Sequence, residues 1–451
     1  MNTLRLASLF ARRQSLRDNL LATALPITAF AVVTAMLMIV LGGVRVLSGF
    51  GGEWAGAYRV MTALALALLV IPMVTLGAAA AKLSAQRRDT RLSSLALLGA
   101  TQGQIAGLTV IESAGSALAG ALIGTVAYAG LVPLFGLVSM GGARLGSGLW
   151  LPWWWLPLIW LAVAFVAAAS ALFGLRNVMV TPLGVRTNQQ PRVTGKVRLL
   201  IAGILLIVGV TALVSATQVA ERIGVLGILI ALFVGFGCGV LALDAVGPAY
   251  LALRARMALN RADDIESMLA ARTILDDTLA AWRNVSGLAL TTFISVIAAA
   301  GLGLVDLANV NHAADNAAEA LLFADLRTGV YLTLMIAFVM VATTVAISQA
   351  AHTLNRAAVH VAMDRLGMPS NLVARASRRA VMSAVTGVML GAGLLAVLLM
   401  LPIVGVALIT RPISLIAMAG AFALGLLLVR AAASASNRLV PGILARPDRV
   451  L

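Results

Sequence analysis

Few side chains in this chain could do chemistry, and they are scattered. Two acids, Glu112 and Asp244, fall inside long apolar runs. A carboxylate at membrane depth is costly and by default marks a substrate or ion contact. Both lie near the end of their run, so pairing with a loop arginine is the expectation and substrate binding the alternative. His312, His352 and His360 do not cluster at ligand spacing, so no metal is expected. The one cysteine, Cys238, lies in an apolar run and can form no disulfide within the chain. There is no G-x-x-x-x-G-K-[ST] phosphate loop and no converging carboxylate or histidine constellation. The chain is therefore not expected to be an enzyme or to hold a cofactor of its own.

The most organised stretch is Arg87 to Gly124, RRDTRLSSLALLGATQGQIAGLTVIESAGSALAGALIG. Arg87, Arg88 and Arg91 keep its first third in water or at a membrane surface. Leu92, Leu95 and Leu98 fall on one side of a short helix. Gly99 supplies a helix stop. Thr101 and Gln104 have the spacing of a capping box for the next helix. That helix should run apolar from Ile105 to about Leu131. Ser116, Gly120 and Gly124 recur along it every four residues, a small-residue stripe suited to close packing in a membrane. The pattern predicts a short surface helix, a sharp turn and a membrane helix, with a plain solvated loop as the alternative for its first part.

A second copy follows. Arg356 to Gly391 repeats the arrangement: Met363 and Leu366-Gly367, then Met368 and Pro369, a basic run Arg375, Arg378 and Arg379, and another apolar stretch. Upstream, Arg13-x-x-Leu16-x-Asp18-x-Leu20-x-Ala22 recurs as Arg272-x-x-Leu275-x-Asp277-x-Leu279-x-Ala281. The offset between copies grows from 259 (Arg13 to Arg272) to 268 (Leu98 to Leu366). A tandem duplication is the simplest explanation.

The elements that must carry these motifs are membrane helices. Of 451 residues, 61% are hydrophobic and 11% charged, and mean hydropathy is +1.01. A soluble domain would approach ~25% charged. Ten runs of about bilayer-spanning length can be marked, at about 20–44, 60–82, 105–131, 153–175, 199–217, 224–250, 285–305, 328–350, 381–404 and 412–431. The first run is longer than a signal-peptide core of ~7–15 residues and is read as a retained span. Residues 1–19 form a basic amphipathic segment that could lie on the membrane surface. Between spans, Glu221-Arg222 and residues 306–326 (with Asp306, His312, Asp315, Glu319 and Asp325) read as loops. Trp150, Trp153, Trp154 and Trp155 read as a headgroup belt. Pro248 is expected to bend its span.

Ten spans place both termini on one side. All but six of the 33 basic residues then fall on that side, the six being Arg45, Arg59, Arg144, Arg222, Arg327 and Arg411. By the positive-inside rule both termini, and both Leu-Gly motifs, are cytoplasmic. The net charge of +16 thus points to cytoplasmic loops rather than to nucleic acid.

With Leu97-Leu98-Gly99-Ala100-Thr101-x-x-Gln104-Ile105, Glu112 and the glycines to Gly124 in place, the chain resembles the FtsX-like permease domain family, the membrane subunits of certain ABC transporters. Pro182-Leu183-x-x-Arg186 resembles the family's usual domain ending. The likeness is good over about 1–190 and weaker over about 265–445, where Met368-Pro369 replace Ala-Thr and Ala380 stands in place of Glu112. Arg91 and Ala96 stand where the family commonly has Glu and Arg. The arrangement is similar to the ten-span bacitracin-resistance type: an all-α integral membrane protein with a four-span domain over 1–190, two linking spans over 191–260 and a second four-span domain over 261–451.

The resemblance implies a permease in the bacterial plasma membrane that exports or extracts an amphipathic or hydrophobic substrate or peptide. A separate ABC ATPase, as a dimer holding ATP-Mg, would be its partner, along with membrane lipid. The coupling helices would be Arg91–Thr101, with Leu92, Leu95, Leu98 and Gly99, and Val359–Met368, with Met363, Leu366 and Gly367. Relatives carry large extracytoplasmic domains at positions where this chain has about fifteen to twenty residues. The alternatives are a same-fold signalling protein or cell-wall-enzyme regulator, and a secondary transporter. The same-side recurrence of the motifs is unlike the inverted repeats common in secondary transporters.

Overall fold

The computed structural model describes residues 20–51, 55–86, 101–179, 195–276, 278–312, 317–355 and 370–410, with Gly420, Ala423, Leu427, Arg430 and Ala431. Almost all of them are helical. The helices are α1 (Leu20–Ser48), α2 (Ala55–Gln86), α3 (Gln102–Gly136), α4 (Trp155–Met179), α5 (Gly195–Val214), α6 (Ala216–Ile223), α7 (Val225–Asn260), α8 (Ile265–Asp276), α9 (Thr278–His312), α10 (Ala317–Asn355) and α11 (Ser370–Thr410). Seven stretches among the described residues have the length and apolarity to cross a membrane: Ala24–Ser48, Ala106–Gly136, Trp155–Leu172, Val197–Val214, Ile230–Asn260, Ala320–Ala350 and Arg379–Leu401. Val285–Ala298 is a shorter apolar stretch within α9. The protein is an all-α, multi-pass membrane protein.

Helix is the form such a chain must take, because a bilayer core offers no water to bond free backbone groups. Hydroxyls on these helices obey the same rule. Thr125, Thr291, Ser295, Thr333 and Thr344 each donate to the carbonyl four residues back. Thr34 and Thr292 are the exceptions among the described residues: both are fully buried and their hydroxyls have no partner.

Packing divides the chain into two units, one of Met1–Thr62 with Met73–Gln190, the other of Ala63–Pro72 with Pro191–Leu451. In the first, α3 packs on α1 and α4. The stripe read from sequence is the α1–α3 seam. A methyl at Gly120 would lie 2.7 Å from the Ile27 carbonyl oxygen, and one at Gly124 would lie 2.5 Å from that of Ala31. Contacts at 27–31 and then 31–34 climb with 120 and 124, so the two helices run parallel.

The chain after α3 makes a two-residue hairpin, β1 (Ser139–Met140) pairing antiparallel with β2 (Ala143–Arg144). Its turn is Gly141-Gly142, with φ of +65° and +76°. Both turn positions demand the left-handed region, which glycine enters without strain. A 3-10 turn at Gly146–Leu149 follows. This segment is strapped down. The Tyr128 hydroxyl donates to the Leu149 carbonyl at 2.6 Å and accepts from the Leu151 N–H at 2.9 Å. Arg45 donates to the Trp150 carbonyl at 2.9 Å. Trp150, Trp153 and Trp154 remain exposed, and Trp155 is half-buried.

In the second unit α7 packs against α5, α6, α8, α9 and α11. Its glycines receive large side chains. Positions that a methyl would need at Gly235, Gly239 and Gly247 are taken by Leu213, Phe293 and Trp282. The buried core runs through Leu288, Phe293, Val341, Val388 and Leu399. α7 and α11 are antiparallel: Arg254 faces Gly387, Tyr250 faces Gly391, and Leu399 lies at Gly239.

Two expectations change. Glu221 and Arg222 lie in helix α6 rather than in a loop. The loop expected at 306–326 is mostly helix: α9 runs to His312 and α10 starts at Ala317. Asp306 is therefore within a helix, and Asp325 is buried on α10. The polar content of that stretch hid helices that simply extend past the apolar core. Pro248 lies inside α7, which continues for twelve residues beyond it.

Candidate functional site

Of the expected coupling residues, Arg91, Leu92, Leu95, Leu98, Gly99, Met363, Leu366, Gly367 and Met368 lie outside the described residues. Thr101 is described, and it forms the cap that its spacing predicts. Its hydroxyl accepts from the Gln104 N–H at 3.4 Å, and its own N–H donates to Gln104 Oε1 at 3.0 Å. Two orphan donors at the start of α3 are thereby satisfied. Glu112, three turns further on, is exposed and engaged within the protein.

Among the described residues Asp244 has no arginine partner. Its Oδ1 accepts from the Trp282 indole N–H at 2.8 Å. The partners are on α7 and α9, 38 residues apart. The same indole covers Gly247, where a methyl would meet ring atoms at once. Removing the side chain at position 247 thus lets the ring lie against the α7 backbone, and the carboxylate fixes its direction.

That ring is one wall of a cleft of about 400 Å³ in the second unit. Leu243, Gly247 and Tyr250 on α7 face Gly391, Leu395 and Leu398 on α11 across it. The lining is almost wholly apolar, and Tyr250 supplies the only hydroxyl among the lining residues. The Tyr250 phenol is the one group in the lining with any capacity as a nucleophile or ligand, and no cluster of metal-ligating side chains occurs among the described residues. What the cleft can do is hold an apolar body.

Beyond the last turn of α7, acids at and just before the start of α8 hold the start of α11. Arg375 Nε lies 3.1 Å from Glu266 Oε1, and Arg379 Nη1 lies 3.3 Å from Asp264 Oδ2. Glu266 sits in the first turn of α8, where the helix dipole favours an acid. Ala270, Ala271 and Ile274 are buried on α8, while Ile265 and Met268 are exposed.

Sequence reading missed three features. Asp325, taken for a loop residue, is 3% exposed and engaged within the protein. The Asp244–Trp282 pair has no local signal, since its partners meet only through packing. The cleft was signalled weakly by Gly387 and Gly391, whose spacing matches the first stripe. Comparison with family models, with curated proteins and with solved structures gives no match to this chain.

Proposed function

We propose that this chain is the membrane permease subunit of an ABC transporter, working with a separate ATPase dimer that holds ATP-Mg. The observation that carries the reading is the segment from Leu97 to Gly124. Its order of Leu-Leu-Gly-Ala-Thr, Gln104 and spaced glycines resembles the FtsX-like signature. The described part has a matching physical form: a doubly bonded cap at Thr101, then a 35-residue helix seated on α1 through Gly120 and Gly124. In this reading the chain has ten spans in two four-span domains, 1–190 and 261–451, with two linking spans at 191–260. Both termini are cytoplasmic, in a bacterial plasma membrane. The helices Arg91–Thr101 and Val359–Met368 dock on the ATPase, with Leu98 and Leu366 as apolar knobs. The cargo is amphipathic or hydrophobic, in keeping with a cleft whose lining is almost wholly apolar.

The test is co-purification with an ATPase encoded beside this chain, with ATP turnover read in lipid nanodiscs. Wild type should capture the ATPase. Leu98→Asp and Leu366→Asp should lose it while eluting as folded protein. Capture that ignores both substitutions would remove the coupling assignment and leave the secondary-transporter reading first.

A further inference from the structure

The α7–α11 cleft has a charged end. Leu243, Gly247, Tyr250 and Arg254 follow one another at i, i+4, i+7 and i+11, so they share one face of α7. On α11 the matching row is Gly387, Gly391, Leu395 and Leu398. A methyl at Gly391 would lie 2.8 Å from a Tyr250 ring carbon, and one at Gly387 would lie 2.8 Å from Arg254 Nη1. The guanidinium therefore lies one turn beyond the apolar cleft, on the same groove, packed over Gly387. Beyond the last turn of α7, Asp264 and Glu266 are held by Arg379 and Arg375. Arg254 itself has no hydrogen bond or ion pair among the described residues.

We propose that this groove binds one anionic phospholipid, with its phosphate on Arg254 and an acyl chain in the cleft. Three observations fit that occupant. From Gly387 to Leu401 the groove is about 21 Å long at 1.5 Å per residue. One bilayer leaflet with its headgroups measures about 20–22 Å. The order of groups also matches a lipid: a planar cation suited to two phosphate oxygens, then a tyrosine ring, then only hydrocarbon. Lastly, the cleft is bordered by Leu394 and Leu401, which are exposed and face outward from α11, so a chain can enter sideways from the bilayer. Asp244 acts at one remove, as a positioning residue that holds the Trp282 wall flat.

The inference rests on the protein being in a membrane and not on the transporter reading. The experiment is native mass spectrometry of the full chain in mixed micelles. The micelles contain equal phosphatidylglycerol and phosphatidylcholine with the same acyl chains. Wild type should retain one phosphatidylglycerol per chain in preference to phosphatidylcholine. Arg254→Gln should lower that preference on the order of tenfold, the scale of one charge-assisted hydrogen bond. Arg254→Lys, which keeps the charge and loses the planar fork, should show a preference between those of wild type and Arg254→Gln. Leu395→Trp, which fills the cleft, should lose both lipids. Arg256→Gln, an exposed arginine two residues away, should change nothing. Thermal midpoints in the same micelles identify any variant that fails to fold. Equal retention of the two lipids by wild type would overturn the proposal, as would undiminished preference in folded Arg254→Gln. An equal loss in Arg256→Gln would do the same, since it would mark a diffuse basic surface.

Discussion

The two units seat their long glycine-bearing helices in opposite ways. In the first, Gly120 and Gly124 of α3 press directly on the backbone of α1, and the seam is closed at the level of main-chain atoms. In the second, the glycines of α11 turn toward α7, where they meet the side chains of Arg254 and Tyr250. At the offset that aligns Leu98 with Leu366, Gly120 corresponds to Val388 and Gly124 to Ala392. Both are fully buried in the core that α11 shares with α9. One position in the repeat is thus a backbone contact in the first unit and a side-chain contact in the second. The first arrangement seals, because nothing smaller than glycine exists to open it. The second leaves the cleft between α7 and α11, since rings and chains pack with more freedom than backbones do.

The sharpest way to break this contrast is to exchange the residue sizes. Gly124→Ala puts a methyl 2.5 Å from a carbonyl oxygen that no rotamer can move. We expect a loss of about 3 kcal/mol, at the upper end of overpacking costs, and a large fall in thermal midpoint in detergent. Ala392→Gly should cost about 1–2 kcal/mol, from helix propensity and a small cavity. Equal losses would mean that the seams are built alike.

A smaller effect separates the polar ties of the two units. Trp282→Phe removes the donor from the Asp244 carboxylate and should cost about 2 kcal/mol. Tyr128→Phe orphans the Leu149 carbonyl and the Leu151 N–H. Its cost of about 1–2 kcal/mol should be local and visible as faster hydrogen exchange at Leu151. Exchange that stays slow there would show that Arg45 alone holds the segment.

The smallest effect concerns Thr34, whose buried hydroxyl has no partner and whose Cβ stands against Gly124. Thr34→Val should leave the midpoint within about 0.5 kcal/mol of wild type or raise it, since no hydrogen bond is lost. A clear loss would reveal a bonded hydroxyl and a less tightly closed seam.

Much of this was legible in the residues. The cap at Thr101 and the stripe at Ser116, Gly120 and Gly124 are local patterns, and local patterns fix helix starts and contact faces. The helices' apolar stretches were legible for the same reason. Their true ends were not: α9 and α10 continue through Asn, Asp and His, because a helix leaving a bilayer loses its apolar signal before its hydrogen bonds. The partner of Asp244 was missed because opposite charge is the obvious expectation, whereas an indole N–H satisfies a carboxylate without bringing a second ion into lipid. The cleft needs the register of α7 against α11, which no single helix encodes.

The cap at the start of α3 and the tyrosine near its far end have a mechanical consequence. Thr101 and Tyr128 are about 40 Å apart along the helix axis. The first turn is held by two bonds and so resists fraying, and the far end is bonded at both Leu149 and Leu151. Between them the helix cannot slide on α1 without driving Gly120 and Gly124 into main-chain atoms. A displacement imposed at one end of this shaft therefore appears at the other with little backlash.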